Sequence, residues 1–236
     1  MTAQITLESM LDVGVHFGHQ ARKWNPKMAP YIYGERNGIH ILDILQTAIC
    51  LEEVRQHLRE SAKRGEHLLV VGTRSQASGP AQAIAEQCEH DGAQQVHYVN
   101  HRWLGGMLTN WSTIQVCIQK LQRLEANEKS GLASNLPKKE AAAAKKQYAR
   151  LLKFLGGVKE MPKVPETVLI VGQPTELNAV QECRKLKLRT ITLLDTDCDP
   201  SLADLVVPAN DDSVAAIGLI LNQMARAIQE GQALAR

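Results

Sequence analysis

Two stretches decide the fold: His67-Leu-Leu-Val-Val-Gly72 and Thr167-Val-Leu-Ile-Val-Gly172. Each is a short, unbroken apolar run, rich in β-branched residues and closed by glycine. A run with no alternation of apolar and polar positions is buried on both faces, as an interior strand of a parallel sheet is. Each is followed by polar turn residues and then a helical stretch, at about 81–88 and 176–186. Further strands are expected at 95–99, 190–194 and 204–207. Strands alternating with helices predict βαβ units and an α/β class, with the parallel sheet covered on both sides.

Outward from these strands, the flanking helices are marked by period and caps. Pro208-Ala-Asn-Asp-Asp-Ser213 supplies turn and N-cap chemistry, acids being favoured at the positive end of a helix dipole. Val214, Ile217, Leu221, Met224 and Ile228 then recur at helical spacing, and a helix at 44–62 follows the same rule. The middle of the chain differs. Ile114, Cys117 (or Ile118), Leu121 and Leu124 make one apolar seam, followed by a polar loop with Gly131 and Pro137. Ala141, Ala144, Tyr148, Leu151 (or Leu152) and Leu155 make a second, closed by Gly156-Gly157. Two seams around one loop predict a coiled-coil-like helical hairpin. The expected organisation is a globular α/β domain of residues 1–111 and 156–236, interrupted by a hairpin at 112–155.

Composition narrows the function. With 44% hydrophobic and 22% charged residues, the chain is ordinary for a globular protein rather than a disordered one. No run reaches the roughly 18 apolar residues of a membrane span. The opening MTAQITLESM lacks the basic and apolar regions of a secretory signal and the Arg- and Ser-rich character of a transit peptide. The protein is therefore expected to work where it is made. Five cysteines, without any C-x-x-C spacing, argue against a disulfide framework or zinc knuckle and for reduced structural thiols. The net charge of +2 conceals a local excess: residues 102–163 carry 12 basic and 4 acidic side chains, which points to a polyanion as partner.

Enzymatic chemistry finds little support. Gly72-Thr-Arg74 and Gly172-Gln-Pro174 sit where nucleotide-binding folds cradle phosphate, yet neither gives G-x-G-x-x-G or a Walker motif. Pro174 also removes a backbone donor, so plain βα turns are expected. Asp195-Thr-Asp197-Cys-Asp199 alternates acids like a calcium loop, but Pro200 and Val206 replace the glycine and glutamate such a loop needs. His16 and His19 lie in a glycine setting, beside Gly14 and Gly18, with no nearby residues to complete a metal set. No nucleophile motif is present. No catalytic, cofactor-binding or metal residue is assigned.

The aromatic residues speak more clearly. Seven of the nine Phe, Trp and Tyr fall within 17–33 and 98–111, mixed with basic and amide side chains. Cations neutralise phosphates and planar groups stack on bases. The candidate RNA-binding residues are Arg22, Lys23, Trp24, Lys27, Arg36 and Arg102, with Lys138, Lys139, Lys145 and Lys146 on the outer face of the hairpin. Residues 1–40 form the expected docking segment. Within it Val15 and Phe17 are expected to anchor into the body, with the histidines as local hydrogen-bonding groups. Trp103 and Trp111 are expected in the core.

The same windows resemble a known family. Gly14-Val-His-Phe-Gly-His19, Trp24-Asn-Pro-Lys-Met28 and Tyr31-Ile-Tyr-Gly-Glu-Arg-Asn-Gly-Ile-His40 are similar to the opening of ribosomal protein S2 of the small subunit. Tyr98 to Trp111 resembles its central signature, and Asp195–Pro200 with Val207–Asp212 its carboxyl-terminal ones. The resemblance implies a Rossmann-like three-layer αβα sandwich with an inserted coiled-coil hairpin. It implies a structural role binding small-subunit rRNA, with neighbouring ribosomal proteins and ribosomal protein S1 as partners. No cofactor, membrane or small-molecule substrate is implied. Local departures from the family pattern occur at Arg74-Ser75, Val171-Gly172 and Leu188-Arg189. The short tail after Glu230 resembles plastid and cyanobacterial members, which makes a chloroplast ribosome the first expectation and a bacterial cytoplasmic one the second. Two rival functions are a Rossmann-like nucleotide-binding enzyme and a coiled-coil protein adaptor.

Overall fold

The computed structural model describes residues 6–89, 94–130 and 137–235, without the Lys138 side chain. Gly131 of the expected hairpin loop lies outside the described residues. Five parallel strands form the central sheet: β4 (Leu68–Val71), β5 (Val96–Val99), β6 (Thr167–Val171), β7 (Arg189–Leu194) and β8 (Leu205–Pro208), in the order β5-β4-β6-β7-β8. The two apolar stretches ending at Gly72 and Gly172 are neighbours, with Leu68 opposite Thr167 and Val71 opposite Ile170. They occupy the middle of the sheet, which is why every residue of both strands is buried.

Alternation along the strands separates two cores. Leu68, Val70, Leu169 and Val171 face α2 (Ile44–Lys63), α3 (Ser75–Gln87) and α7 (Val214–Leu234). Leu69, Val71, Val168 and Ile170 face the opposite layer, made of α6 (Leu177–Leu186) and the bases of α4 (Trp111–Lys129) and α5 (Lys138–Leu155). The result is a three-layer αβα sandwich, as expected from the βαβ pattern. Ile114, Ile118, Leu121 and Leu155 are buried in this second core, so the seams of α4 and α5 continue into the sheet's packing. At the start of α7, Ser213 is the cap, its hydroxyl accepting from the Ala216 amide at 3.3 Å.

One expectation is revised. Helix α3 begins at Ser75, ahead of the expected start, and runs through Pro80. The N-terminal segment, to which the sequence reading assigns no strands, carries a sheet of its own. After α1 (Leu7–Asp12), strands β1 (Phe17–Gln20), β2 (Ile32–Arg36) and β3 (Ile39–Leu42) make a separate antiparallel sheet in the order β1-β3-β2. Asn37-Gly38 joins β2 to β3, with φ of 54° and 76°. Two left-handed residues in a two-residue loop are the type I′ hairpin turn that Asn-Gly favours.

Candidate nucleic-acid interface

The opening segment is fastened to the carboxyl ends of the sheet strands. The His19 amide donates to Thr196 Oγ1 at 3.0 Å and the Asn25 amide to the Thr196 carbonyl at 2.8 Å. Gly18 permits this approach, since a Cβ there would meet Thr196 Cγ2 at 2.5 Å and the His40 carbonyl oxygen at 3.0 Å. Val15 is fully buried in the first core, as expected. Phe17 is not an anchor: it is 48% exposed, because β1 turns that side chain away from the body. His19 is also more than a local hydrogen-bonding group. Its Nδ1 lies 2.9 Å from Asp195 and its Nε2 3.3 Å from Asp212. The hydrogen bond to Asp195 raises its pKa to about 9 against the effect of burial, with Asp195, Asp197 and Asp212 adding through space.

Arg74 closes the crevice between β4 and β6, where the strand order reverses and α/β proteins commonly take ligands. Its Nη1 donates to Asp211 at 2.9 Å and to Asp212 at 3.1 Å, and its Nε to Thr175 at 3.1 Å. Beside it, Thr73 donates to the buried Glu176. Where a nucleotide-binding protein would leave room for phosphate, this chain places its own guanidinium and carboxylates. Asp211 has no exposure, and burial pushes its carboxyl up to about 7 despite Arg74. Its Oδ2 lacks a hydrogen-bond partner among the described residues. His19, Asp211 and Asp212 each offer one ligand atom within 4.8 Å of one another, but His19 is held protonated between Asp195 and Asp212 and the Arg74 guanidinium lies on both carboxylates, so the chain's own cations fill the cluster. The spacing of His16 and His19 carries no sign of this cluster, because its carboxylates come from the other end of the chain.

A second organiser is Glu182 on α6. Its carboxylate accepts from Trp103 Nε1 at 3.0 Å, the Gly106 amide at 2.8 Å, and the Leu108 and Thr109 amides and the Thr109 hydroxyl at 3.0 Å each. Burial raises its pKa, but these donors outweigh burial and hold it below the ordinary value. Glu182 thereby shapes the loop of the second aromatic-basic window. Sequence offered no signal for it, since a lone Glu on an exposed helix face is ordinary. Trp103 is buried as expected, whereas Trp111 is only partly so.

The candidate cations fall into two kinds. Lys27 is committed internally, at 2.7 Å from Asp199 and 3.0 Å from Ser201 Oγ. It clasps the docking segment to the Asp195–Asp199 loop, a strand-end turn whose Asp199 carboxylate is taken by this lysine. Arg22 donates to Gln20 at 2.9 Å. Trp24 is 38% exposed, with its ring 5.1 Å from that of His40. By contrast, Lys23, Arg36, Arg102, Lys139, Lys145 and Lys146 are exposed and engage no hydrogen-bond or ion-pair partner among the described residues. The Lys138 side chain lies outside those residues. Arg22, Lys23 and Trp24 are brought together with Lys27 along the docking segment. Arg102 and the α5 lysines stand on other elements.

A crevice filled by the chain's own side chains, with unpaired cations on the outer surface, fits a structural α/β scaffold rather than a nucleotide-binding one. A sequence model described as Ribosomal protein S2 matches residues 10–231. The chain is 58% identical over 229 residues to the small ribosomal subunit protein uS2c of Oltmannsiellopsis viridis, covering 97% of this chain and 94% of that one. It is 54% identical over 228 residues to uS2c of Mesostigma viride, covering 97% of each. It is 52% identical over 228 residues to uS2 of Synechococcus sp. (strain JA-3-3Ab), covering 97% of this chain and 83% of the relative. The chain belongs to the ribosomal protein S2 family, a family of structural proteins and not of enzymes.

Proposed function

We propose that this chain is a structural constituent of the small subunit of a plastid ribosome, binding small-subunit rRNA without catalysing a reaction. The observation that carries this reading is near whole-chain kinship with the uS2c proteins of two green algae. The cyanobacterial relative supports a bacterial cytoplasmic ribosome as the second reading. A nucleotide-binding enzyme is disfavoured by the crevice that Arg74 and Glu176 occupy.

RNA contact is assigned to Lys23, Arg36 and Arg102, and to Lys138, Lys139, Lys145 and Lys146 on the hairpin. Arg22 and Trp24 flank Lys23, and Lys27 acts mainly as a clasp. The hairpin, residues 112–155, serves as a basic arm on the globular body of 1–111 and 156–236. Neighbouring small-subunit proteins are the protein partners, ribosomal protein S1 among them. The apolar groove of about 310 Å³ lined by Leu7, Leu11, Tyr33 and Leu45 gives such a neighbour a surface to meet. The test is co-sedimentation of tagged chain with small subunits from plastids. Salt-sensitive association with that subunit is expected, and absence from it would overturn the reading.

A further inference from the structure

Much of the basic surface of the body is neutralised by neighbouring acids. Arg55 pairs with Glu52, Arg59 with Glu230, Arg64 with Glu66, Lys159 with Glu125 and Lys163 with Glu166. The turn from α6 into β7 departs from this rule. In Arg184-Lys-Leu-Lys-Leu-Arg189 all the cations are exposed, and none has a hydrogen-bond or ion-pair partner among the described residues. Arg184, Lys187 and Arg189 line one groove of about 640 Å³, together with the carboxylates of Glu66, Glu166 and Asp204.

Those carboxylates are committed elsewhere. Glu66 accepts from Arg64 at 2.6 Å and Ser61 at 2.5 Å. Glu166 accepts from Lys163 and from the His67 amide. Asp204 accepts from the Thr190 amide at 2.8 Å and hydroxyl at 2.9 Å. Two of the three carboxylates are thus paired with other cations, and Arg184, Lys187 and Arg189 face Asp204 alone, which leaves the groove with a positive excess.

Local structure explains only part of this basic run. Arg184 and Lys185 lie in the last turn of α6, where a cation is favoured by the helix dipole. Lys187 lies beyond it, at the helix C-cap, in the left-handed conformation at φ 55°. That conformation favours Gly or Asn, so a lysine there costs stability rather than adding it. Arg189 heads β7, where backbone pairing with β6 places no demand on its side chain. The groove also meets the docking segment. Ser201, which accepts from Lys27 at 3.0 Å, lines it too.

We propose that the groove of Arg184, Lys187 and Arg189 is a further docking face for an RNA phosphodiester backbone, continuing the docking segment beyond Lys27. The inference rests on the rRNA-binding reading above and adds to it a surface that neither aromatic window contains.

The test uses the full chain and small-subunit rRNA, with affinity measured across a salt series. Neutralising the face with Arg184→Gln, Lys187→Gln and Arg189→Gln together is expected to make the log–log salt slope shallower by about 2. The melting temperature should stay unchanged. A separate Lys187→Gly chain relaxes the left-handed residue while removing its charge. It should melt higher yet bind more weakly, which separates loss of contact from loss of fold. An unchanged slope in the triple variant overturns the proposal while leaving the ribosomal reading intact. Failure of the unmodified chain to bind rRNA overturns both. Loss of subunit incorporation with an unchanged RNA slope would assign the face to an acidic protein and overturn the RNA assignment.

Discussion

The crevice above β4 and β6 holds a basic side chain inside, α4 and α5 carry theirs on the outside, and the two regions use them in opposite ways. In the crevice, Arg74 is only 22% exposed and holds Asp211 and Asp212. On the hairpin, Lys145, Lys146 and Arg150 project into solvent with no acid partner among the described residues. A cation that satisfies a buried carboxylate is spent on the fold. A cation left unpaired in water is available to a phosphate. Residue type does not separate the two roles, and only the partners do.

Removing the crevice cation should have the largest effect. Arg74→Met removes the guanidinium's hydrogen bonds to Asp211, Asp212 and Thr175 and is expected to destabilise by about 3 kcal/mol in urea unfolding, the buried Asp211 carboxyl then taking up a proton. A loss below about 1 kcal/mol would show that the crevice is not held this way. Glu182 comes next. Glu182→Ala strips a charged acceptor from several donors and should cost about 2–3 kcal/mol, while the 103–109 loop loses amide-exchange protection.

Glu182 also makes a pH prediction with a definite sign. Its pKa is lower folded than unfolded, so its stabilisation is present above the unfolded value, about 4.5, and is lost as pH falls through the folded one. Glu182→Gln should therefore flatten the acid limb of stability below about pH 4.5, and an unaltered limb would contradict the role given to this carboxylate. The smallest effect on stability is expected at the clasp. Lys27 and Asp199 are 54% and 25% exposed, and solvent screening limits the loss from Lys27→Ala to about 0.5 kcal/mol.

The legible parts of the molecule were those whose physics is local in sequence. β4 and β6 announced themselves because both faces are buried, and α7 because its apolar residues keep one helical face. The small N-terminal sheet was hidden by short, half-exposed strands, although Asn37-Gly38 carried the hairpin signal. The site was legible as composition and not as geometry. That Arg22, Lys23 and Trp24 form a basic surface follows from their neighbours in the chain. That Lys27 is clasped by Asp199, and that His19 meets Asp195 and Asp212, depends on where β7 and the turn before α7 come to rest. Nothing in the spacing of His16 and His19 encodes that.

The central claim is that unpaired cations bind RNA and paired ones hold the fold. Its most direct test is the salt dependence of rRNA binding by a chain carrying Lys145→Gln, Lys146→Gln and Arg150→Gln. Each lost phosphate contact lowers the log–log slope by about 0.7–0.9. The account predicts a slope shallower by about 2, with the unfolding midpoint unchanged. An unchanged slope, or a variant that loses stability instead of affinity, would contradict it.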